Sequence, residues 1–202
     1  MHSFAAFQDQ TGIQPEALGR AMQRIAEADG VHPLFELEKG RTSEADFLDR
    51  VQGELAADLG HVPEMHGFRE IYFNALSPNE PMIELMRSLR DRGMRMALLT
   101  NNVREWEPLW RSLMPVDEIF ELIVDSAFVG MRKPEREIYE LTLERLRERD
   151  GLADLAPEEC VFVDDIEVNV EAAKALGMEA VRFRSNEQAI TEIEAAVAAA
   201  GT

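Results

Sequence analysis

Two adjacent carboxylates close the apolar run Val161-Phe162-Val163-Asp164-Asp165, and no other stretch of the sequence points so directly to chemistry. Side by side they repel unless a cation lies between or beside them, and magnesium takes one or two carboxylates while keeping several waters. Turn or helix-cap duty explains one aspartate well and the adjacent pair less easily. A second run, Met94–Thr100, opens into Thr100-Asn101-Asn102. These residues offer a hydroxyl and amides to phosphoryl oxygens, together with free backbone N–H groups at the start of a following helix. Taken alone, they read more simply as the cap of that helix. A third stretch, Gly130-Met131-Arg132-Lys133-Pro134, sets Lys133 before a proline that fixes the backbone, so its ammonium can stand over the strand ends as a point charge against phosphate. A solvated basic loop is the plain alternative.

Such residues act together only where the chain brings strand ends to one side, which an open parallel sheet does: its ligands bind outside the carboxyl ends of the strands. The texture after Ser77-Pro78-Asn79-Glu80-Pro81 fits that need. A helix over Met82–Arg92, stopped by Gly93, is followed by strands at Met94–Thr100, Phe120–Val124, Cys160–Asp164 and Ala180–Phe183. Helices are expected at Pro134–Arg149, with Pro134 in the first helical position, and at Ile166–Leu176, stopped by Gly177. Ser185 or Asn186 caps a last helix reaching about Ala200. Before Leu76 the pattern is helical throughout, with Phe4, Phe7, Leu18, Met22, Ile25, Phe47, Leu48, Val51, Leu55 and Leu59 at spacings of three and four. Thr42-Ser43 marks one helix start there and Gly60 its stop. The expected organisation is a helical region over residues 1–76 and an α/β core with a parallel sheet over residues 77–202.

The balance of 21 Lys+Arg against 39 Asp+Glu gives a net charge of −18, which repels the phosphate backbone on which nucleic-acid affinity depends. Nucleic acid is therefore excluded as a main partner. No stretch approaches the ~20 apolar residues of a membrane span, and the first ten residues lack the pattern of a signal peptide. Cys160, the single cysteine among 202 residues, cannot form an internal disulfide, which makes a reducing cytoplasm the expected compartment.

The order of Ala97–Asn102 (ALLTNN), Val129–Leu141 (VGMRKPEREIYEL) and Val161–Met178 (VFVDDIEVNVEAAKALGM) resembles the haloacid dehalogenase-like hydrolase superfamily. More narrowly, it is similar to phosphatases with a helical cap, related to the amino-terminal phosphatase domain of bifunctional epoxide hydrolases. The resemblance implies a Rossmann-like sheet with residues 1–76 as cap, and magnesium-dependent hydrolysis of a small phosphate monoester through an aspartyl-phosphate. It gives Thr100 and Asn101 the phosphoryl group to hold, and Lys133 the charge between phosphate and nucleophile. Asp164 and Asp165 would hold magnesium directly or through water, and Asn169 would stand behind the site, fixing Lys133, unless it is a plain helix-surface residue.

One part of the family pattern is not found. The superfamily's nucleophile is the first aspartate of a DxD signature at the end of an apolar strand, and residues 2–12 (HSFAAFQDQTG) read as a cap helix instead. Asp9 has only a superficial likeness to it. Without that central strand, the strands at Met94–Thr100 and Cys160–Asp164 have open edges or are forced together, and open edges invite a second chain, which makes a homodimer one expectation. The alternatives are then a catalytically inactive binding protein that keeps its phosphate contacts and, less favoured because of Asp164-Asp165, a metal-free dehalogenase. Trp106 and Trp110, four apart on one expected helix, read as packing residues before cleft residues. His32, His61 and His66 have no metal-ligand spacing and are expected at the surface.

Overall fold

Ala17, Leu18, Ala21 and Ile25 recur at three- and four-residue spacing, and in the computed structural model they are the buried stripe of helix α1 (Pro15–Asp29). The structure describes residue 8, residues 12–65 and residues 67–200. Phe4, Phe7, Asp9 and His66 lie outside the described residues. Helix α2 (Pro33–Glu38) follows, and helix α3 (Glu44–Leu59) lays Val51 and Leu55 against α1, with Ile13 and Met65 completing the core. Arg20 meets Asp58, Arg24 meets Glu54 and Arg50 meets Asp29, an order that makes α1 and α3 antiparallel. These exposed pairs set register and contribute little stability. Ser43 accepts the Asp46 N–H at 3.1 Å to open α3, and Gly60, at φ 73°, returns its N–H to Ala56 to close it. Helix α4 (Phe68–Asn74) completes this stretch. His32 is half-buried and accepts the Leu34 N–H at the start of α2, whereas His61 is exposed.

The chain forms two compact units. The first joins Met1–Pro78 with Asn101–Pro115 and Ser126–Gly130; the second holds Asn79–Thr100, Val116–Asp125 and Met131–Thr202. A plain division at residue 76 therefore differs from the observed one, because two segments that follow strand ends belong with the helical unit. No helix of the described residues is long and apolar enough to cross a membrane.

In the second unit, helix α5 (Glu80–Asp91) leads to strand β1 (Ala97–Thr100), and later come helix α7 (Val116–Ile119) and strand β2 (Leu122–Asp125). The first unit contributes a 3-10 turn at Arg104–Trp106, helix α6 (Glu107–Ser112) and helix α8 (Ser126–Val129). Helix α9 (Arg136–Arg147), strand β3 (Val161–Asp164), helix α10 (Glu167–Ala175), strand β4 (Glu179–Arg182) and helix α11 (Asn186–Ala200) follow in the second. β1 pairs in parallel with β2, placing Thr100 opposite Asp125; β3 pairs in parallel with β4, placing Asp164 opposite Arg182. The expected parallel sheet is thus observed as two separate pairs, and among the described residues no ladder joins β1 to β3.

Strand pleat explains the layering. Val161 and Val163 face one way into a core with Leu85, Leu89, Val181 and Ile193, while Phe162 faces the other and packs its ring edge-on to Tyr139 at 5.4 Å. Helices therefore cover both faces of the β3–β4 pair, as parallel strands require. Several expected boundaries are corrected. β1 starts at Ala97 because Gly93 turns the chain at φ 87° and Met94 is 41% exposed, so only the last four residues of the run meet a partner strand. Pro134 is not the first residue of its helix: the Lys133–Pro134 peptide is cis and α9 begins at Arg136. Trp106 and Trp110 do not share one helix, since Trp106 ends the 3-10 turn and Trp110 is buried in α6. Before α11, Ser185 Oγ accepts the Gln188 N–H and Gln188 Oε1 accepts the Ser185 N–H, a reciprocal cap.

Candidate active site

Strand β3 delivers Asp164 at its carboxyl end, and the carboxylate is 9% exposed. Buried charge needs partners. Oδ2 accepts from Lys133 Nζ at 2.7 Å; Oδ1 accepts from the Ile166 N–H at 2.8 Å and from Asn169 Nδ2 at 3.0 Å. The Ile166 bond reaches two residues ahead, a local turn that aspartate favours, so turn duty and ion pairing coexist in one side chain. Asn169 is buried on α10 and holds Asp164, not Lys133 as expected from sequence. Asp165 is exposed, so the adjacent carboxylates diverge: one enters the pair with Lys133 and the other faces solvent. Among the described residues no group of three His, Cys, Asp or Glu side chains is arranged to hold a metal ion. With three donors already on Asp164, these residues do not by themselves make a magnesium site.

Lys133 is 8% exposed, and its ammonium also donates to the Leu99 carbonyl at 2.9 Å. That carbonyl lies on the outer edge of β1, because the Met96 carbonyl, an odd number of residues away, bonds the Glu121 N–H toward β2. One buried ammonium thus ties the edge of β1, beside Thr100, to the end of β3. The Phe162 ring lies 5.7 Å from the same nitrogen. The structure therefore brings Lys133, Asp164, Asn169 and the end of β1 together, although they are far apart in sequence.

Tyr139 supports this arrangement from α9. Fully buried, it donates its hydroxyl to the Asn169 carbonyl at 2.9 Å. Burial, and then the negative charge of Asp164, hold its phenol well above the ordinary value. A raised value in the folded state means that the associated stability is complete below the unfolded pKa of about 10 and is lost as pH rises beyond it. Urea midpoints between pH 8 and pH 11 are expected to fall more steeply for the parent protein than for Tyr139→Phe. At pH 7 that variant is expected to be less stable by about 1 kcal/mol. Parallel pH profiles of the two proteins would show that Tyr139 does not carry the effect.

In the first unit, Asn101 follows Thr100 directly and is half-buried. The backbone groups after it are not free anion donors as expected: the Asn102 N–H bonds Ser126 Oγ at 3.0 Å, and the Val103 N–H bonds Asn102 Oδ1 at 2.9 Å. Ser126 is completely buried, and Asp125, 5% exposed, precedes it at the end of β2. Sequence reasoning passed over both residues. The signal was an acid and a hydroxyl directly after the apolar run Leu122–Val124, the position inspected for the other strands.

A family model for hydrolases, haloacid dehalogenase-like hydrolase, matches residues 4–177, and the chain belongs to that family. Among curated relatives, bifunctional epoxide hydrolase 2 of Rattus norvegicus is 29% identical over 143 residues, covering 66% of this chain and 24% of its own length. The chain thus spans about a quarter of that relative. Sesquiterpene phosphatase astK of Aspergillus oryzae is 34% identical over 110 residues, 51% of this chain and 49% of that protein. Among solved structures, a HAD family enzyme of Bacteroides thetaiotaomicron in complex with magnesium and inorganic phosphate aligns at TM-score 0.60 and 22% identity, covering 84% of each chain. That likeness shows the fold, and the chain is a haloacid dehalogenase-like hydrolase of α/β architecture with helices preceding the strands.

Proposed function

We propose that this chain is the phosphate-binding core of a phosphatase acting on a small phosphate monoester. The observation that carries the reading is the Lys133 ammonium, buried between the Leu99 carbonyl and Asp164 at the carboxyl end of β1. A fixed positive charge there neutralises phosphoryl oxygens, with Thr100 and Asn101 as the adjacent hydroxyl and amide donors. Phosphoryl transfer draws most of its catalysis from such positioning and charge neutralisation. Relatives named as phosphatases, including the phosphorylated carbohydrates phosphatase of Thermotoga maritima, support the same class of substrate.

The covalent step of this chemistry needs a carboxylate free to attack phosphorus. Asp164 is poorly placed for it, since both its oxygens are engaged, and Asp165 is exposed. That occupancy favours a second reading in which the chain binds phosphate and does not turn it over. The purified 202-residue protein is therefore expected to bind inorganic phosphate through Lys133, to bind magnesium weakly, and to hydrolyse p-nitrophenyl phosphate at no enzymatic rate. Calorimetric titrations and a turnover assay check the three points. Magnesium-dependent turnover abolished by Asp164→Ala would establish the active phosphatase and discard the binding-only reading; failure to bind phosphate would overturn both.

A further inference from the structure

Arg87, Arg90, Arg92 and Arg95 crowd the stretch where helix α5 gives way to β1. Three of them are matched by carboxylates: Arg87 by Glu118 at 2.8 Å, Arg92 by Glu194 at 2.8 Å, and Arg95 by Glu121. Arg90 is exposed and has no ion pair among the described residues. It lines a cavity of about 320 Å³, large enough for a small organic molecule. Met94, Met96, Ile119 and Phe120 line the same space, and Met94 is 41% exposed there. The other charges of the lining are already answered: Glu118 by Arg87, Glu121 by Arg95, and Asp117 is engaged as well. One uncompensated guanidinium thus stands beside apolar side chains. Every lining residue belongs to the second unit. Met96 and Glu121 directly precede β1 and β2, and the Glu121 N–H bonds the Met96 carbonyl at 3.1 Å, so the cavity lies at the amino ends of these strands. Lys133 bonds the Leu99 carbonyl three residues further on, about 10 Å along the strand.

We propose that this cavity binds a small organic monoanion, a carboxylate carried on an aliphatic chain, at a site separate from the candidate active site. A guanidinium presents two parallel N–H donors that match the two oxygens of a carboxylate, and Arg90 is the charged lining residue with that fork uncommitted. A phosphate dianion suits the cavity less well, because Glu118 and Glu121 share the lining and repel the second charge. The aliphatic chain meets Met94, Met96, Ile119 and Phe120, which offer it no side-chain hydrogen bond to replace those of water. Methionine, unbranched and polarizable, adapts its shape to such a chain. None of the residues in the phosphatase reading takes part, so the two stand or fall separately.

Methionine methyl signals in carbon–proton spectra of the full chain, assigned with Met94→Leu and Met96→Leu, follow titration with n-hexanoate, acetate and n-hexanol. n-Hexanoate is expected to shift the Met94 and Met96 methyls and to bind at least about tenfold more tightly than acetate or hexanol. Arg90→Gln is expected to weaken n-hexanoate about tenfold or more and to leave the urea midpoint unchanged, since the side chain is exposed and unpaired. Met94→Asp, a second exposed position, is expected to abolish binding by setting a carboxylate in the cavity. Should Arg90→Gln fail to fold, Met94→Asp decides. No binding of n-hexanoate, or binding that leaves the Met94 and Met96 signals in place, overturns the proposal. Acetate as tight as n-hexanoate removes the apolar part of the site, and hexanol as tight removes the anionic part; either result overturns it. So does an affinity that survives Arg90→Gln or Met94→Asp in the folded variant.

Discussion

Replacing Lys133 by methionine is expected to destabilise the protein by about 3–5 kcal/mol, the cost of leaving a buried charge without its partner. Methionine keeps the unbranched stem and removes only the ammonium, so packing changes little. What remains is Asp164, 9% exposed, with the Ile166 N–H and Asn169 as its donors. Asp164→Asn is expected to destabilise comparably for the converse reason, leaving the Lys133 ammonium on the Leu99 carbonyl without a carboxylate. Removing both charges together should cost less than the two single losses added, by about 2 kcal/mol or more, because neither buried charge is then left behind. Urea denaturation of the four proteins closes the cycle. Additive losses would mean that the two side chains are neighbours without being partners. By contrast, the exposed Arg136–Glu140 pair on α9 is expected to contribute little. Lys133→Met should also weaken inorganic phosphate binding tenfold or more, on the order of one charge-assisted hydrogen bond.

That pair was half legible in the sequence. Lys133 and Asp164 are chemically conspicuous residues at the ends of apolar runs, and parallel strands place such ends on one side whatever the intervening loops do. Which group bonds which was not legible. Asn169 lies in the first turn of α10, five residues after Asp164, and its amide bonds the carboxylate where sequence reasoning gave it Lys133; only geometry separates the two choices. The adjacency of Asp164 and Asp165 suggests a shared metal, but the chain turns at that point, burying the first carboxylate and exposing the second. Local devices fared better. Ser43 and Gly60 bound α3 as their types require, because a cap is made within a few residues. Strand starts fared worse, because a strand extends only as far as a partner does: Met94 and Arg95 belong to the apolar run yet lie outside β1, where Arg95 instead pairs with Glu121. Ser126 follows the apolar run Leu122–Val124 as Asp164 follows its own, but nothing local shows what its buried hydroxyl bonds. Its role comes from the Asn102 N–H, 24 residues away in sequence.

Gly40 is the strongest case of a residue whose importance only the fold reveals, and Gly40→Ala is expected to cost about 3 kcal/mol or more. Two effects add. At φ 64° the backbone is in the left-handed region, where a β-carbon costs roughly 1–2 kcal/mol. A β-carbon at Gly40 would also lie 2.2 Å from the Ala127 carbonyl oxygen and 2.8 Å from Arg104 Nη2. Contacts between carbon and carbonyl oxygen settle at about 3.3 Å or more, so something must move by about 1 Å. The oxygen is backbone and already accepts from Arg104 at 2.6 Å, so neither neighbour yields freely. Ala127 follows Ser126, whose hydroxyl holds the Asn102 N–H, and a shift there passes to the segment that carries Asn101. Gly60→Ala supplies the comparison, since Gly60 has φ 73° and a β-carbon there would meet nothing within 4 Å, leaving only the conformational cost of about 1–2 kcal/mol. Urea midpoints of both variants separate the close approach from the backbone strain, and phosphate affinity is expected to fall for Gly40→Ala alone. Equal losses in the two proteins would mean that Ala127 moves aside without consequence and that the contact does not position the segment after β1.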